Sequence, residues 1–288
     1  MVKKIIEGSF IILLVLFSFY YTDKVVDMVE ETDPIMQEIV TMKSSVSEAA
    51  VDAVVEEDYL VPGYNGVEVN TKKSFDKMKQ YGSYNESLLV FEEVEPSISM
   101  EDYYDKYISS GNGFTNRISL VFKVTGDTKV DEVNQILNDN DAYGTFFVDG
   151  VWLENNKDKV TMLALDFHQV ELLSYNNKYD KLLFEASLDQ LETITNQEGK
   201  YCYAEYDNKQ VLELCSKEKM HTIIPTLLIK DNLYQQVKGN ITNGSIISIN
   251  INKETLKELN VTLKYLKQRG YILDTLDHLL NEARDFDK

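Results

Sequence analysis

The 288 residues carry 29 basic against 48 acidic side chains, a formal net charge of −19, and 43% are hydrophobic. That much apolar material can close a sizeable core in one large domain or two modest ones. Acidity on this scale repels phosphate backbones, which excludes non-specific nucleic-acid binding.

The chain opens Met1-Val-Lys3-Lys4, followed by an uncharged stretch from Gly8 to Thr22 that is dense in Ile, Leu, Val and Phe and ends just past Tyr20-Tyr21. With Ile5 and Ile6 it reaches the lower limit for a bilayer span, about 17 residues. Lysines before it and tyrosines after it suit a helix whose N-terminus lies in the cytoplasm and whose continuation lies outside. The small residues of a signal-cleavage site do not follow. Residues 1–22 are therefore expected to form an uncleaved transmembrane anchor, which places the rest outside the cytoplasm.

Residues 22–58 hold eleven acidic and two basic side chains. Apolar positions at near-helical spacing make 23–58 an acidic helical stalk, interrupted or restarted at Pro34. Residues 59–117 have another texture, with Val61-Pro-Gly-Tyr-Asn-Gly66, a helical pattern from Ser74 to Tyr81 and a strand pattern from Leu88 to Val94. They read as an extension packed on the main domain. From Ile118 onward, strand patterns at Ile118–Val124, 144–148, 160–165, 223–229 and 245–251 alternate with helical patterns at 130–139, 188–196, 209–217 and 253–269. Such alternation predicts an α/β fold with a mostly parallel sheet. The two cysteines, Cys202 and Cys215, make no disulfide framework. They read as two buried thiols, with a single bridge open to a chain outside the cytoplasm.

Two runs carry a resemblance. Ile118-Ser-Leu-Val-Phe-Lys123-Val124 is followed by Tyr143-Gly-Thr-Phe-Phe-Val-Asp-Gly150, and the end reads Asn243-Gly-Ser-Ile-Ile247, Leu263 to Gly270-Tyr271, then Thr275-Leu276 to Leu280. Residues 118–282 thereby resemble the polysaccharide deacetylase family, the NodB-homology domain, at both ends and in order. The resemblance implies a distorted (β/α) barrel of fewer than eight strands over 118–288. It also implies a hydrolase acting on the carbon–nitrogen bond of N-acetyl sugars, with one Asp and two His on a metal ion, a second Asp as base held by an Arg, and a late His as acid.

The chemical residues of that pattern are replaced. The family's Thr-Phe-Asp-Asp-Gly becomes Phe122-Lys123-Val124, so Lys123 stands for the base and Val124 for the metal aspartate. In His168-Gln-Val-Glu-Leu-Leu173-Ser-Tyr-Asn-Asn177 the two ligand positions are Leu173 and Asn177. Lys200 falls near the arginine position, and Asn250 at the late histidine. Charged lysine has no lone pair, and valine and leucine cannot ligate. The three histidines, His168, His221 and His278, are too far apart in sequence for a His-x-x-x-His pair. No Gly-x-Ser-x-Gly elbow, phosphate loop or dinucleotide fingerprint is present.

The expected protein is a membrane-anchored, extracytoplasmic deacetylase-like domain without catalytic residues, metal or cofactor. It would act by binding a cell-wall glycan or a protein partner, with Lys123, Tyr175 and Tyr203 as candidate ligand contacts. Lys123 could place its ammonium where the metal would stand. The alternative is an active hydrolase of N-acetyl bonds using a non-standard site, for which Asp149 and Asp166 are carboxylates near strand ends.

Overall fold

The structure is a computed structural model that describes residues 2–284, without the side chains of 2–11, 22–23 and 26–27. The chain divides into two units, Met1–Ala49 with Gly66–Val94 and Ala50–Asn65 with Glu95–Lys288. The expected 59–117 extension thus contributes residues to both.

In the first unit a helix spans Val2–Glu31. Among the described residues no helix is long and apolar enough to cross a membrane. The first half of the expected anchor lies among residues whose side chains are outside the description. Asp33 caps the next helix, Pro34–Val46, by accepting the Ile35 N–H at 2.8 Å. Pro34 takes the first helical position, where its missing N–H removes no bond. This helix is not a bare solvated spacer. Met36 and Ile39 are buried in a small core with Val69, Phe75, Met78 and Leu89. A helix at Thr71–Lys79 supplies Phe75 and Met78, the strand Gly66–Val69, paired antiparallel with Phe91–Val94, supplies Val69, and Leu89 precedes the latter strand.

The second unit holds two sheets. One runs Leu227–Ile229, Ile246–Ile249, Arg117–Val124, Thr145–Asp149, Gln169–Ser174, with Ile272–Asp274 also paired to Arg117–Val124. All its pairs are parallel. Along Arg117–Val124, side chains alternate between faces. Ile118, Leu120, Phe122 and Val124 enter the core shared with the flanking helices. Val121 joins Phe147, Tyr201, Tyr203 and Ile246 in a second core. The other sheet runs Val54–Val55, Tyr59–Val61, Tyr107–Ile108, His221–Ile223, Tyr201–Tyr203. Its pairs are parallel except the first.

The parallel α/β architecture matches the expectation, but a closed barrel is not formed among the described residues. Where Gln169–Ser174 approaches Tyr201–Tyr203, the Glu171 carboxyl accepts the N–H groups of Lys200 and Tyr201, at 3.1 and 3.3 Å, instead of a strand-to-strand ladder. The second gap lies in the stretch expected as one strand over 223–229. That stretch is divided between His221–Ile223 in one sheet and Leu227–Ile229 in the other. Pro225 between them has no N–H to give a ladder. The Thr226 hydroxyl spans the gap, donating to the Ser109 carbonyl at 2.7 Å and accepting the Ile246 N–H at 3.1 Å.

Two further expectations are corrected. Residues 160–165 are not a strand but the end of a helix, Lys157–Leu165, with Val160 and Leu163 buried at helical spacing. A short apolar run fits either state. Cys202 and Cys215 are not free thiols but a disulfide, with Cα atoms 6.3 Å apart. It joins the Tyr201–Tyr203 strand to the helix Lys209–Lys217 that packs on it.

Candidate functional site

Three parallel strands, Arg117–Val124, Gln169–Ser174 and Tyr201–Tyr203, end at one cavity of about 320 Å³. Carboxyl ends of strands are where α/β folds place ligands, because the loops that follow are free to vary. Lys123 reaches the cavity because strand alternation turns it away from the face that buries Phe122 and Val124. Its Nζ is ion-paired to Glu205, in the loop after Tyr201–Tyr203. Both partners are partly exposed, so the pair contributes little stability.

The wall opposite Lys123 is aromatic. Tyr203 is buried, and its hydroxyl lies 2.7 Å from that of Ser248. Burial holds its phenol well above the ordinary range, and Tyr179 is raised for the same reason. Tyr206 is 66% exposed on the rim. Asp207 beside it accepts the Tyr59 hydroxyl at 2.7 Å. That hydrogen bond raises the Tyr59 phenol, because ionising it would bring two negative charges together.

The far rim depends on Asp149. Its carboxylate accepts the Ser174 hydroxyl and the N–H groups of Val151, Asn176 and Asn177, at 2.9 to 3.2 Å. This holds the Tyr175–Lys178 turn, in which Asn176 and Asn177 take φ of 51° and 57°. Asparagine tolerates that left-handed region better than most residues. Asp149 therefore builds the rim and is spent in doing so. Asp166 is equally occupied: the Asn134 and Asn138 amides donate to it at 2.7 and 2.9 Å and hold its carboxyl below the usual range.

Of the residues singled out from the sequence, Lys123, Leu173, Asn177 and Tyr203 meet at the cavity. The others do not line it. Val124 is fully buried in the core beneath the helices, the consequence of alternation from Lys123. Lys200 precedes its strand rather than following it, and pairs with Asp277 at 2.6 Å. Asn250 is exposed after the Ile246–Ile249 strand, its main-chain N–H donating to the Ile229 carbonyl and its main-chain carbonyl accepting the Thr255 hydroxyl. Tyr175 folds over Gly150, with its hydroxyl 3.3 Å from Glu154. Glu205, Asp207, Tyr179 and Tyr206 were not anticipated. For three of them the signal is the Glu205-Tyr206-Asp207 run one residue after a strand; Tyr179 carries none.

His168 is structural. Its Nδ1 accepts the Gly144 N–H at 3.3 Å, and burial pulls its pKa down to about 4, so the ring is neutral. No group of three His, Cys, Asp or Glu side chains is arranged to hold a metal ion among the described residues. The cavity's own residues do not fit a divalent cation. Lys123 and Leu173 offer no lone pair and Glu205 is neutralised by the ammonium, which leaves Asp207 as a lone carboxylate, too few anionic ligands for a divalent ion.

No family profile matches the chain. It is 28% identical over 242 residues to YlxY of Bacillus subtilis (strain 168), an uncharacterized protein, covering 78% of this chain and 76% of that one. An uncharacterized 30.6 kDa protein from Geobacillus stearothermophilus is 27% identical over 198 residues, covering 61% and 71%. Among solved structures, a wild-type pseudoenzyme of carbohydrate esterase family 4 (CE4) from Bacillus anthracis superposes with a TM-score of 0.68 at 24% identity, covering 88% of this chain and 97% of that one. A mutant of that pseudoenzyme with restored enzymatic activity gives 0.67. PdaA of Bacillus subtilis, a family 4 carbohydrate esterase, gives 0.52 at 17% identity, covering 62% and 86%.

Proposed function

We propose that this chain, which shares its fold with the polysaccharide deacetylases of carbohydrate esterase family 4, is a catalytically silent member of that group that binds a cell-wall glycan without hydrolysing it. One observation carries the reading. Where strand ends converge on the cavity, a lysine ion-paired to a glutamate stands in place of groups that could hold a cation and prime water. Deacetylation needs both a Lewis acid and a base with a free lone pair. Lys123 supplies neither, and it occupies the Glu205 carboxylate that could otherwise face a divalent ion. Tyr206 leaves a ring face and a hydroxyl suited to a sugar, with Tyr179 half-buried in the same cavity.

The glycan is expected in the cell wall, since PdaC of Bacillus subtilis, of similar fold, is a peptidoglycan deacetylase. A position outside the cytoplasm, on an N-terminal anchor, is supported by two features. The Cys202–Cys215 disulfide belongs to an oxidising compartment. The apolar side chains from Ile12 to Phe19 are exposed on their helix, downstream of Lys3 and Lys4.

The test pairs two measurements on the purified protein. Metal content is expected to be substoichiometric, and acetate release from N-acetylated cell-wall glycan is expected to stay at background with added zinc or cobalt. Chelator-sensitive acetate release would reject the proposal and favour a hydrolase with a non-standard site. Absence of any glycan binding would reject it as well.

A further inference from the structure

We infer that the cavity prefers an amino sugar bearing a free ammonium group, a de-N-acetylated residue, over the N-acetylated sugar; this rests on the glycan-binding reading above. Three charged side chains line the cavity: Lys123, Glu205 and Asp207. Lys123 cancels Glu205, to which it is ion-paired. Asp207 is left with a neutral partner, the Tyr59 hydroxyl. The cavity therefore holds one uncompensated negative charge, and its single cation is already engaged.

An acetamide can offer that carboxylate only a single neutral N–H beside a carbonyl oxygen that the carboxylate repels. A protonated sugar amine gains a charge-assisted hydrogen bond from it. Tyr206, on the same loop and largely exposed, adds a ring face on which a pyranose can stack and a cation can rest. The loop is held at both ends. Asn208 caps the Lys209–Lys217 helix by accepting the N–H groups of Gln210 and Val211 at 3.1 and 3.3 Å. The Cys202–Cys215 bridge ties that helix to the strand before the loop. The backbone that presents Asp207 and Tyr206 is thereby held before binding, which lowers the ordering cost.

The experiment is isothermal titration of the full chain in detergent at pH 6 with glucosamine and N-acetylglucosamine oligomers of equal length. The glucosamine oligomer should bind about tenfold more tightly, in line with a hydrogen bond to a charged group. Asp207→Asn keeps an oxygen to accept the Tyr59 hydroxyl, so the loop is retained while the charge is lost. It should erase the preference. Equal affinity for the two oligomers, or tighter binding of the acetylated one, overturns this inference and leaves the glycan-binding reading standing. A preference that survives Asp207→Asn also overturns it, assigning the effect to the overall charge of −19. Binding of neither oligomer overturns both.

Discussion

Breaking the Cys202–Cys215 bridge should destabilise the second unit by about 3 kcal/mol. The two cysteines are 13 residues apart in sequence. In the chain-entropy account, releasing a loop of that length returns roughly 10 cal/mol/K to the unfolded chain, or about 3 kcal/mol at 25 °C. For a domain of about 200 residues this lowers the melting temperature by about 6–12 °C. Both sulfurs are buried, so reductant has to be applied in denaturant and the protein refolded with thiols kept reduced. Melting would be followed by circular dichroism for oxidised protein, reduced protein and a Cys202→Ala/Cys215→Ala variant, with thiols counted by alkylation and mass. Because the bridge flanks residues 204–208, the reduced form should also lose glycan affinity. Identical melting of oxidised and reduced protein, or two alkylatable thiols in unfolded, unreduced protein, would refute the reasoning.

Asp149→Ala should cost about 2–4 kcal/mol in denaturant unfolding, since four hydrogen-bond donors lose their acceptor and those that remain buried go unsatisfied; Asp149→Asn should cost less because it keeps an acceptor. Stability should be greatest near pH 6.5 and decline to either side, because burial also lowers the His221 pKa and adds to His168 on the acid side. His168 has a pKa of about 4 in the folded state against 6.5, so its contribution is present above 6.5 and lost as pH falls toward 4. Burial pushes the Glu171 carboxyl up to about 8 from 4.5, against the hydrogen bonds it accepts, so its contribution is full below 4.5 and lost as pH rises toward 8. Between 4.5 and 6.5 the two slopes oppose each other. Above 6.5 the Glu171 loss contributes at most about 2 kcal/mol by pH 8, and His278, whose pKa the Asp274 hydrogen bond raises, adds a loss of its own in the same direction. Urea unfolding at pH 5, 6.5 and 8 measures the sum, and Glu171→Gln should reduce the decline on the alkaline side.

What could be read from the sequence was governed by how local the determining signal is. The Lys209–Lys217 helix has apolar spacing and an Asn208 cap, both visible in the letters, and it forms where expected. The Gln169–Ser174 strand carries Gln169 and Glu171 in a six-residue run that is buried throughout, so its polar letters hid a strand. Those polar groups are satisfied partly by each other and otherwise by Thr145, Lys200, Tyr201 and Asp277, 24 or more positions away, which no short window contains. At the site, Lys123, Leu173 and Asn177 line the cavity, each at a strand end or on a tight turn. Val124 is buried in the core, because motif order says nothing of which face a strand residue takes. Glu205 and Asp207 were missed because their loop matched the family pattern only loosely, and their partners, Lys123 and Tyr59, are 82 and 148 residues distant.

The discontinuity of the two units dictates how the protein can be cut. A fragment begun at residue 59, the boundary the sequence suggested, would discard Val54–Val55, the outermost strand of its sheet, and the bridge between Val51 and Tyr64. It would keep Gly66–Val94 but lose Met36 and Ile39, which seal that unit's core. Such a fragment would expose Phe75 and Met78 to solvent and invite self-association. Any behaviour it showed would report on the excision and not on the native molecule. Recombinant work has to retain everything from Pro34 onward.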